Sequence, residues 1–359
     1  MGALVTTGLA GSYEPRDITF LLTPVSLSVT DIASKERLIQ GGHRHYSEMI
    51  SAEDPPSAEH RAIYDAALDA GAARMGREVA ALAKAIAQDV PGPVTFASLL
   101  RAGVPLGILL GRALRRLGVD AAHFGVSIIR DRGLDHAAVA HILERRPPAG
   151  LVFVDGWTGK GAIAAELGRS LAGSMIPPRL VVLADPCGRA WLAASGEDWL
   201  IPSGVLGATV SGLVSRTILN DAIGPGRFHG CMTWHHLAPH DVSRAFVDRV
   251  WTHVEAYLPH QPAALWTDAD RRRARTGSID ALHAVAARFG IDDLNRVKPG
   301  IAEATRAVMR RVPHRVLVAS LDDPDVGGLR HLADRSGVPI EVASDLGPYR
   351  AITLIRKVK

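Results

Sequence analysis

Apolar runs of four to seven residues recur through the first half of the chain, each closed by a small or charged turn and followed by an amphipathic stretch. They are residues 94–100 (VTFASLL), Phe124 to Ile129, Leu151 to Val154, and the start of 180–188 (LVVLADPCG). Runs of this length bounded by glycine, proline and charge read as strands buried on both faces. The segments after them carry helical spacing: up to about Leu117, from about His136, and from Ala162 to Leu171. Strands alternating with helices predict a parallel α/β sheet with right-handed crossovers. Ligands of such sheets gather at the carboxyl ends of the strands. That edge would carry Arg101, Arg130 and Asp155.

The most informative stretch is LVFVDGWTGKG, residues 151–161. A buried strand ends in Asp155, and Gly156, Trp157, Thr158, Gly159, Lys160 and Gly161 turn the chain into a helix. Free N–H groups at a helix N-terminus point at an anion, and glycines let the backbone approach it. A triphosphate loop is excluded, because Val154 and Gly161 stand where that motif needs a glycine and a hydroxyl. The dinucleotide fingerprint is excluded as well, since no G-x-G-x-x-G occurs in the turn. The segment resembles the ribose-5-phosphate loop of type I phosphoribosyltransferases, with Gly156 in place of the second acid and with Lys160 as a further departure. The turn Arg101, Ala102, Gly103 resembles a diphosphate-binding loop of the same enzymes. Arg130 and Arg132, in the turn after Phe124 to Ile129, occupy the place of a mobile basic loop that would cover the diphosphate.

A wider resemblance rests on KERLIQ (35–40), HYSEMIS (45–51), SLLRAGVPLG (98–107), SIIRDRGLD (127–135), SGLVSRT (211–217) and FHG (228–230). With these segments the chain, from about Lys35 to Asp248, is similar to a phosphoribosyltransferase-like family of tellurite-resistance and stress gene neighbourhoods. That family also carries the label cysteine protease StiP. The resemblance implies a type I phosphoribosyltransferase-like parallel sheet flanked by helices, and Mg²⁺-dependent transfer from phosphoribosyl diphosphate. In that scheme Asp155 holds ribose hydroxyls or a hydrated Mg²⁺, Gly156 and Thr158 to Gly161 take the 5-phosphate, and Arg101 to Gly103 with Arg130 and Arg132 take the diphosphate. Ser211, Ser215, Arg216 and Thr217 in the irregular 199–220 stretch, with His43, His45 and Glu48, are candidates for holding the acceptor.

The chain changes character after Leu258. Residues 259–276, with two prolines and DADRRRART, read as a linker and an exposed basic helix start. Ser278 is a suitable N-cap for IDALHAVAARF. The pattern that follows predicts helix 301–311, strand 315–320, helix 326–336 and strands 339–343 and 350–355, a small α/β/α domain. The expected organisation is therefore 1–258, a linker 259–276, and 277–359. VKPGIAEATRAVMRR resembles the signature of the pelota/L7Ae RNA-binding superfamily, which places Lys298, Gly300, Glu303 and Arg306 on RNA. Ala302 stands where that signature has asparagine.

Composition narrows the partners. The net charge of +4 from 41 basic and 37 acidic residues admits anionic ligands without demanding them. Two cysteines, Cys187 and Cys231, fit neither a disulfide framework nor a zinc site, which points to the cytoplasm. No apolar stretch reaches a membrane span, and the opening MGALVT matches a myristoylation signal only formally. The expectation is a glycosyltransferase whose partners are phosphoribosyl diphosphate, an unidentified acceptor, RNA and a second copy of the chain. A non-catalytic sensor that binds phosphoribosyl diphosphate and regulates an RNA is the alternative. Proteolysis ranks last: Cys187 lacks a nearby helix start, and Cys231 follows His229 too closely for the two side chains to face each other readily.

Overall fold

The computed structural model of the protein describes residues 11–357, so MGALVT lies outside the described range. Strands β1 (Thr19–Phe20), β2 (Val94–Leu99), β3 (Ala121–Val126), β4 (Leu151–Val154), β5 (Leu180–Ala184) and β6 (Leu192–Ser195) form one sheet. Their order is β1-β3-β2-β4-β5-β6, and every neighbouring pair is parallel. Helices α1 (Ile32–Gln40), α2 (Ala58–Asp89), α3 (Gly103–Arg116), α4 (His136–Leu143), α5 (Ala162–Ser170) and α6 (Ser243–Tyr257) accompany it.

The alternation along each strand decides which helix covers which face. Val152 and Val154 enter the core built with α2, α3 and α6. Leu151 and Phe153 enter the core built with α4 and α5. All four are fully buried, and each such side chain contributes ~1.5–3 kcal/mol. This two-sided burial is why the strands read as unbroken apolar runs.

Two sequence expectations need correction here. The strand expected to run to Ile129 ends at Val126. Ile128 and Ile129 pair antiparallel with Leu134 and Gly133, so Arg130 to Arg132 form the tip of a hairpin. Strand β6 lacked a distinct apolar run and was not anticipated.

The helix that opens the second unit starts earlier than Ser278. Helix α7 spans Asp268–Arg288, so DADRRRART is helical. Thr267 caps it, and Asp270 returns the bond to the Thr267 backbone, a closed capping box. Ser278 is thus mid-helix rather than an N-cap, and its hydroxyl accepts from Tyr349 at 3.0 Å. Strands β7 (Val297–Pro299), β8 (Pro313–Val318), β9 (Ile340–Val342) and β10 (Ala351–Ile355) lie in the order β7-β10-β8-β9. Strand β10 is antiparallel to both neighbours, and β9 is parallel to β8. Leu317, Ile352 and Leu354 face α7. Val316, Val318 and Ala351 face α8 (Ile301–Arg310) and α9 (Gly327–Arg335), which gives the three layers read from the pattern.

Candidate functional site

The carboxyl edge of the first sheet meets the β7–α8 corner of the second unit across a cleft of about 540 Å³. Strand β4 delivers Asp155, β2 delivers Arg101, and the hairpin delivers Arg130, as the strand-end argument predicts. Gly103 allows this convergence. A Cβ there would stand 2.0 Å from the Val154 carbonyl oxygen, so only glycine lets α3 begin against the end of β4.

The loop after β4 is not left open for a ligand. Thr158 donates its hydroxyl to Asp185 at 2.5 Å. Lys160 Nζ reaches the Leu294 carbonyl of the second unit at 2.6 Å. The Gly159 carbonyl accepts from Tyr349 Oη at 2.8 Å. Glu303 packs against Gly159, where a Cβ would lie 3.1 Å from its Cγ. Gly161 opens α5 in the left-handed region at φ 82°. The Gly156 carbonyl accepts from Leu183 N, and its N–H donates to Asp155 Oδ1 at 2.8 Å.

The RNA-signature residues also turn inward. Gly300 adopts φ 88°, and the N-terminus of α8 beyond it is capped by Asp198 of the first unit, which accepts from Ile301 N at 3.0 Å. Arg306 lies over the Trp157 ring, 4.5 Å from its centroid. Lys298 and Glu303 line the cleft itself. The face expected to meet RNA is thus one wall of the cleft. Ala302, where the signature has asparagine, is buried.

Other expected residues separate. Arg132 pairs with Glu48 and donates to the Leu219 carbonyl, in a second, smaller depression outside the cleft. Arg216 does line the cleft; it donates to the Met49 carbonyl and lies 5.5 Å from the Tyr46 ring centroid. Ser211 and Thr217 are buried away from it, and Ser211 donates to the Gly207 carbonyl. Ser215 bonds to the Arg216 carbonyl. His45 caps its own turn through Ser47, and His43 is exposed. Arg101 is buried, paired with Glu53 at 2.7 Å and bonded to the Val214 carbonyl.

Sequence reasoning missed Lys35, Arg310, Arg311 and Asp198. Lys35 opens the KERLIQ segment, but only the fold carries it to the cleft. Arg311 crosses to Glu36 with two bonds, at 2.5 and 2.7 Å.

Charge dominates the cleft, where ten Lys and Arg side chains face three acids. Burial, reinforced by Arg216 and Arg310, lowers the Lys35 ammonium to about 8. Burial and Arg130 lower Lys160 to about 8. Burial, Arg311 and Lys160 lower Lys298 to about 7. Burial also raises Asp155 to about 7, against its bond from Gly156 and the charge of Arg306. A half-neutral carboxyl among cations is a poor donor set for a resident Mg²⁺, which prefers several ionised oxygens and water. Among the described residues no three His, Cys, Asp or Glu side chains converge as metal ligands, and no helix is long and apolar enough to cross a membrane.

The comparisons fix the family. Residues 11–251 match the profile of tellurite-like stress resistance cysteine protease StiP, and residues 276–357 match that of the PELOTA RNA binding domain. A protein of Acinetobacter baylyi named cysteine protease StiP is 45% identical over 371 residues, covering 99% of this chain and 96% of its own. A solved hypoxanthine phosphoribosyltransferase mutant from Trypanosoma cruzi, with its product IMP, is 15% identical and covers 34% of this chain and 70% of its own, at a TM-score of 0.25. The expected phosphoribosyl transfer is therefore corrected: a relative spanning nearly the whole chain is named for proteolysis, and the transferase overlap is too slight to carry chemistry. The chain belongs to the StiP family of tellurite-like stress-resistance proteins, with a Pelota RNA-binding domain as its second unit.

Proposed function

We propose that the chain acts in stress resistance as a thiol-dependent protease with Cys231 as its nucleophile. The observation that carries this is the name of the Acinetobacter relative, at 45% identity over 99% of the chain. Physical chemistry chooses between the two thiols. A nucleophilic cysteine needs cationic surroundings that favour the thiolate. Burial raises both thiols; at Cys231 the hydrogen bonds with Ser215 and then the Arg101 guanidinium pull against that rise, with Glu53 opposing them. For Cys187 the Asp185 carboxylate adds to burial, and the thiol is pushed up to about 12.

His229 stands two residues before Cys231, with its ring on Ser127 at 2.7 Å and its backbone N–H on Asp135 at 2.6 Å. At rest the Cys231 thiol faces the Ser215 and Met232 carbonyls, at 3.6 and 3.2 Å. Proteolysis on this reading requires the short Gly230–Cys231 strand to release Ser215 and present the thiol to substrate. Peptide release from unfolded casein tests it. Cys231→Ala abolishes cleavage and Cys187→Ala keeps most of it; cleavage that survives in the double variant overturns the reading.

A second reading comes from the Pelota match: the chain contacts RNA through residues 277–359, joined through 259–276 to the 1–258 unit. The cationic cleft supports it. We read the first unit's sheet as phosphoribosyltransferase-like in fold only, on the strand and loop at Leu151–Gly161, and place the protein in the cytoplasm on its two unpaired cysteines.

A further inference from the structure

Three cations of the second unit have no acceptor. Lys298, Arg306 and Arg310 all line the cleft, and none forms a side-chain hydrogen bond or ion pair with any described residue. Arg306 lies over the Trp157 ring and in the field of Glu303 and Asp155, bonded to neither, and its Nε is buried without a partner. Facing them, Lys35, Lys160 and Arg216 bond to neutral oxygens: Ser51 Oγ and the Leu294 and Met49 carbonyls. Arg216 Nη1 is likewise buried without a partner. Donors held this way, in a partly desolvated space, lack the anion that would satisfy them.

Shape limits what that anion is. A space of about 540 Å³ suits a ligand of small-molecule size. A folded RNA cannot lie along the α8 start, because Asp198 occupies the Ile301 N–H and Gly159 and Trp157 lie under Glu303 and Arg306. Tyr46 and Trp157 add aromatic surface to the same walls. Phosphate oxygens suit arginine forks and lysine charges together.

We propose that the cleft binds one 5′-phosphorylated nucleotide, free or as the first residue of a single-stranded RNA, with Lys298, Arg306 and Arg310 on its phosphate. The RNA-borne form rests on the second reading above. The site is independent of thiol chemistry.

Fluorescence anisotropy of the full chain tests it, using a labelled ten-nucleotide single-stranded RNA with either a 5′-phosphate or a 5′-hydroxyl, and a nucleoside 5′-diphosphate as competitor. The phosphorylated RNA binds at least tenfold tighter and the diphosphate displaces it. Lys298→Gln and Arg306→Gln remove that tenfold advantage, while Arg310→Lys retains most of it. Variants that keep the wild-type affinity for the 5′-hydroxyl RNA are thereby shown to be folded; one that loses this affinity is judged by Arg310→Gln instead. Equal affinity for both RNA ends, unmoved by the variants, overturns the cleft site and leaves the RNA reading intact. Calorimetric binding of the free diphosphate without any RNA binding supports the cleft and overturns the RNA reading. Binding of neither overturns both.

Discussion

Asp198 makes a prediction whose sign depends on pH. Its carboxylate leaves the first unit and accepts from Ile301 N at 3.0 and 3.2 Å and from Arg350 N at 2.8 Å, at 7% exposure. Asp198→Ala strands two N–H donors, each costing about 1–3 kcal/mol when buried unpaired, so the loss is about 2–6 kcal/mol. A second effect opposes it. Burial pushes the Asp198 carboxyl up to about 6, although the Arg350 and Ile301 N–H groups pull it down. In the unfolded chain an aspartate titrates at about 3.9. The native state thus binds the extra proton between these values, so this contribution to wild-type stability is full below about pH 4 and lost as pH rises through about 6. That slope is worth up to roughly 3 kcal/mol, and the alanine variant lacks it. Urea unfolding followed by tryptophan fluorescence, at pH 5 and pH 8, measures both effects. The loss in Asp198→Ala is larger at pH 5 than at pH 8, and Asp198→Asn, which keeps one acceptor oxygen, loses less than alanine at pH 5. A loss below about 1 kcal/mol at pH 5, or one that grows with pH, refutes the reasoning.

Three further outcomes follow from named contacts. Lys298→Met raises the thermal midpoint at pH 7 by a few degrees, equivalent to about 1–2 kcal/mol, because burial and Arg311 lower the lysine to about 7. The unfolded chain binds that proton up to about 10.4, so wild-type stability gains as pH rises from 7 toward 10 and the variant does not; scanning calorimetry across that range reads the difference. Binding of the 5′-phosphorylated RNA weakens about tenfold from pH 6.5 to 8.5, since Asp155, at about 7, gains negative charge while Lys298 loses positive charge; affinity that rises with pH contradicts the assignment of those residues to the cleft. Gly103→Ala drives a Cβ toward the Val154 carbonyl and costs at least about 2 kcal/mol, read as a shift of the urea midpoint; an unchanged midpoint refutes the close approach of α3 to β4.

The first sheet was legible because burial on both faces leaves an unmistakable apolar run, and strand ends place ligand loops on one edge. Arg101, Arg130 and Asp155 do share that edge. What the pattern could not show is who else comes to it. Thr158 looked free, yet its hydroxyl is taken by Asp185, 27 residues away. Lys160 looked like a phosphate ligand, yet it reaches Leu294, 134 residues away. Such partners are set by the docking of one unit on another, for which local spacing carries no signal. Ser278 failed for a different reason: the closed box at Thr267 and Asp270 starts the helix eleven residues earlier.

That docking changes what the two units can do. Alone, a helix N-terminus with Lys298, Gly300 and Arg306 would offer its N–H groups and charge to any nearby phosphate. Here Asp198 satisfies the Ile301 N–H, so the helix-end contribution is spent on holding the units together. The side-chain cations are not spent: they remain unpaired and face the first unit's own Lys35 and Lys160. Like charges on opposite walls repel, and the bonds from Arg311 to Glu36 and from Tyr349 to Gly159 oppose that repulsion. An anion between the walls removes the repulsion and leaves those bonds in place, so a ligand that fills the cleft also tightens the junction by linkage. Thermal unfolding with and without a nucleoside 5′-diphosphate reads this directly. The midpoint rises with the diphosphate in wild type and moves little in Lys298→Gln; a wild-type midpoint unmoved at saturating ligand would show that the cleft cations do not couple the two units.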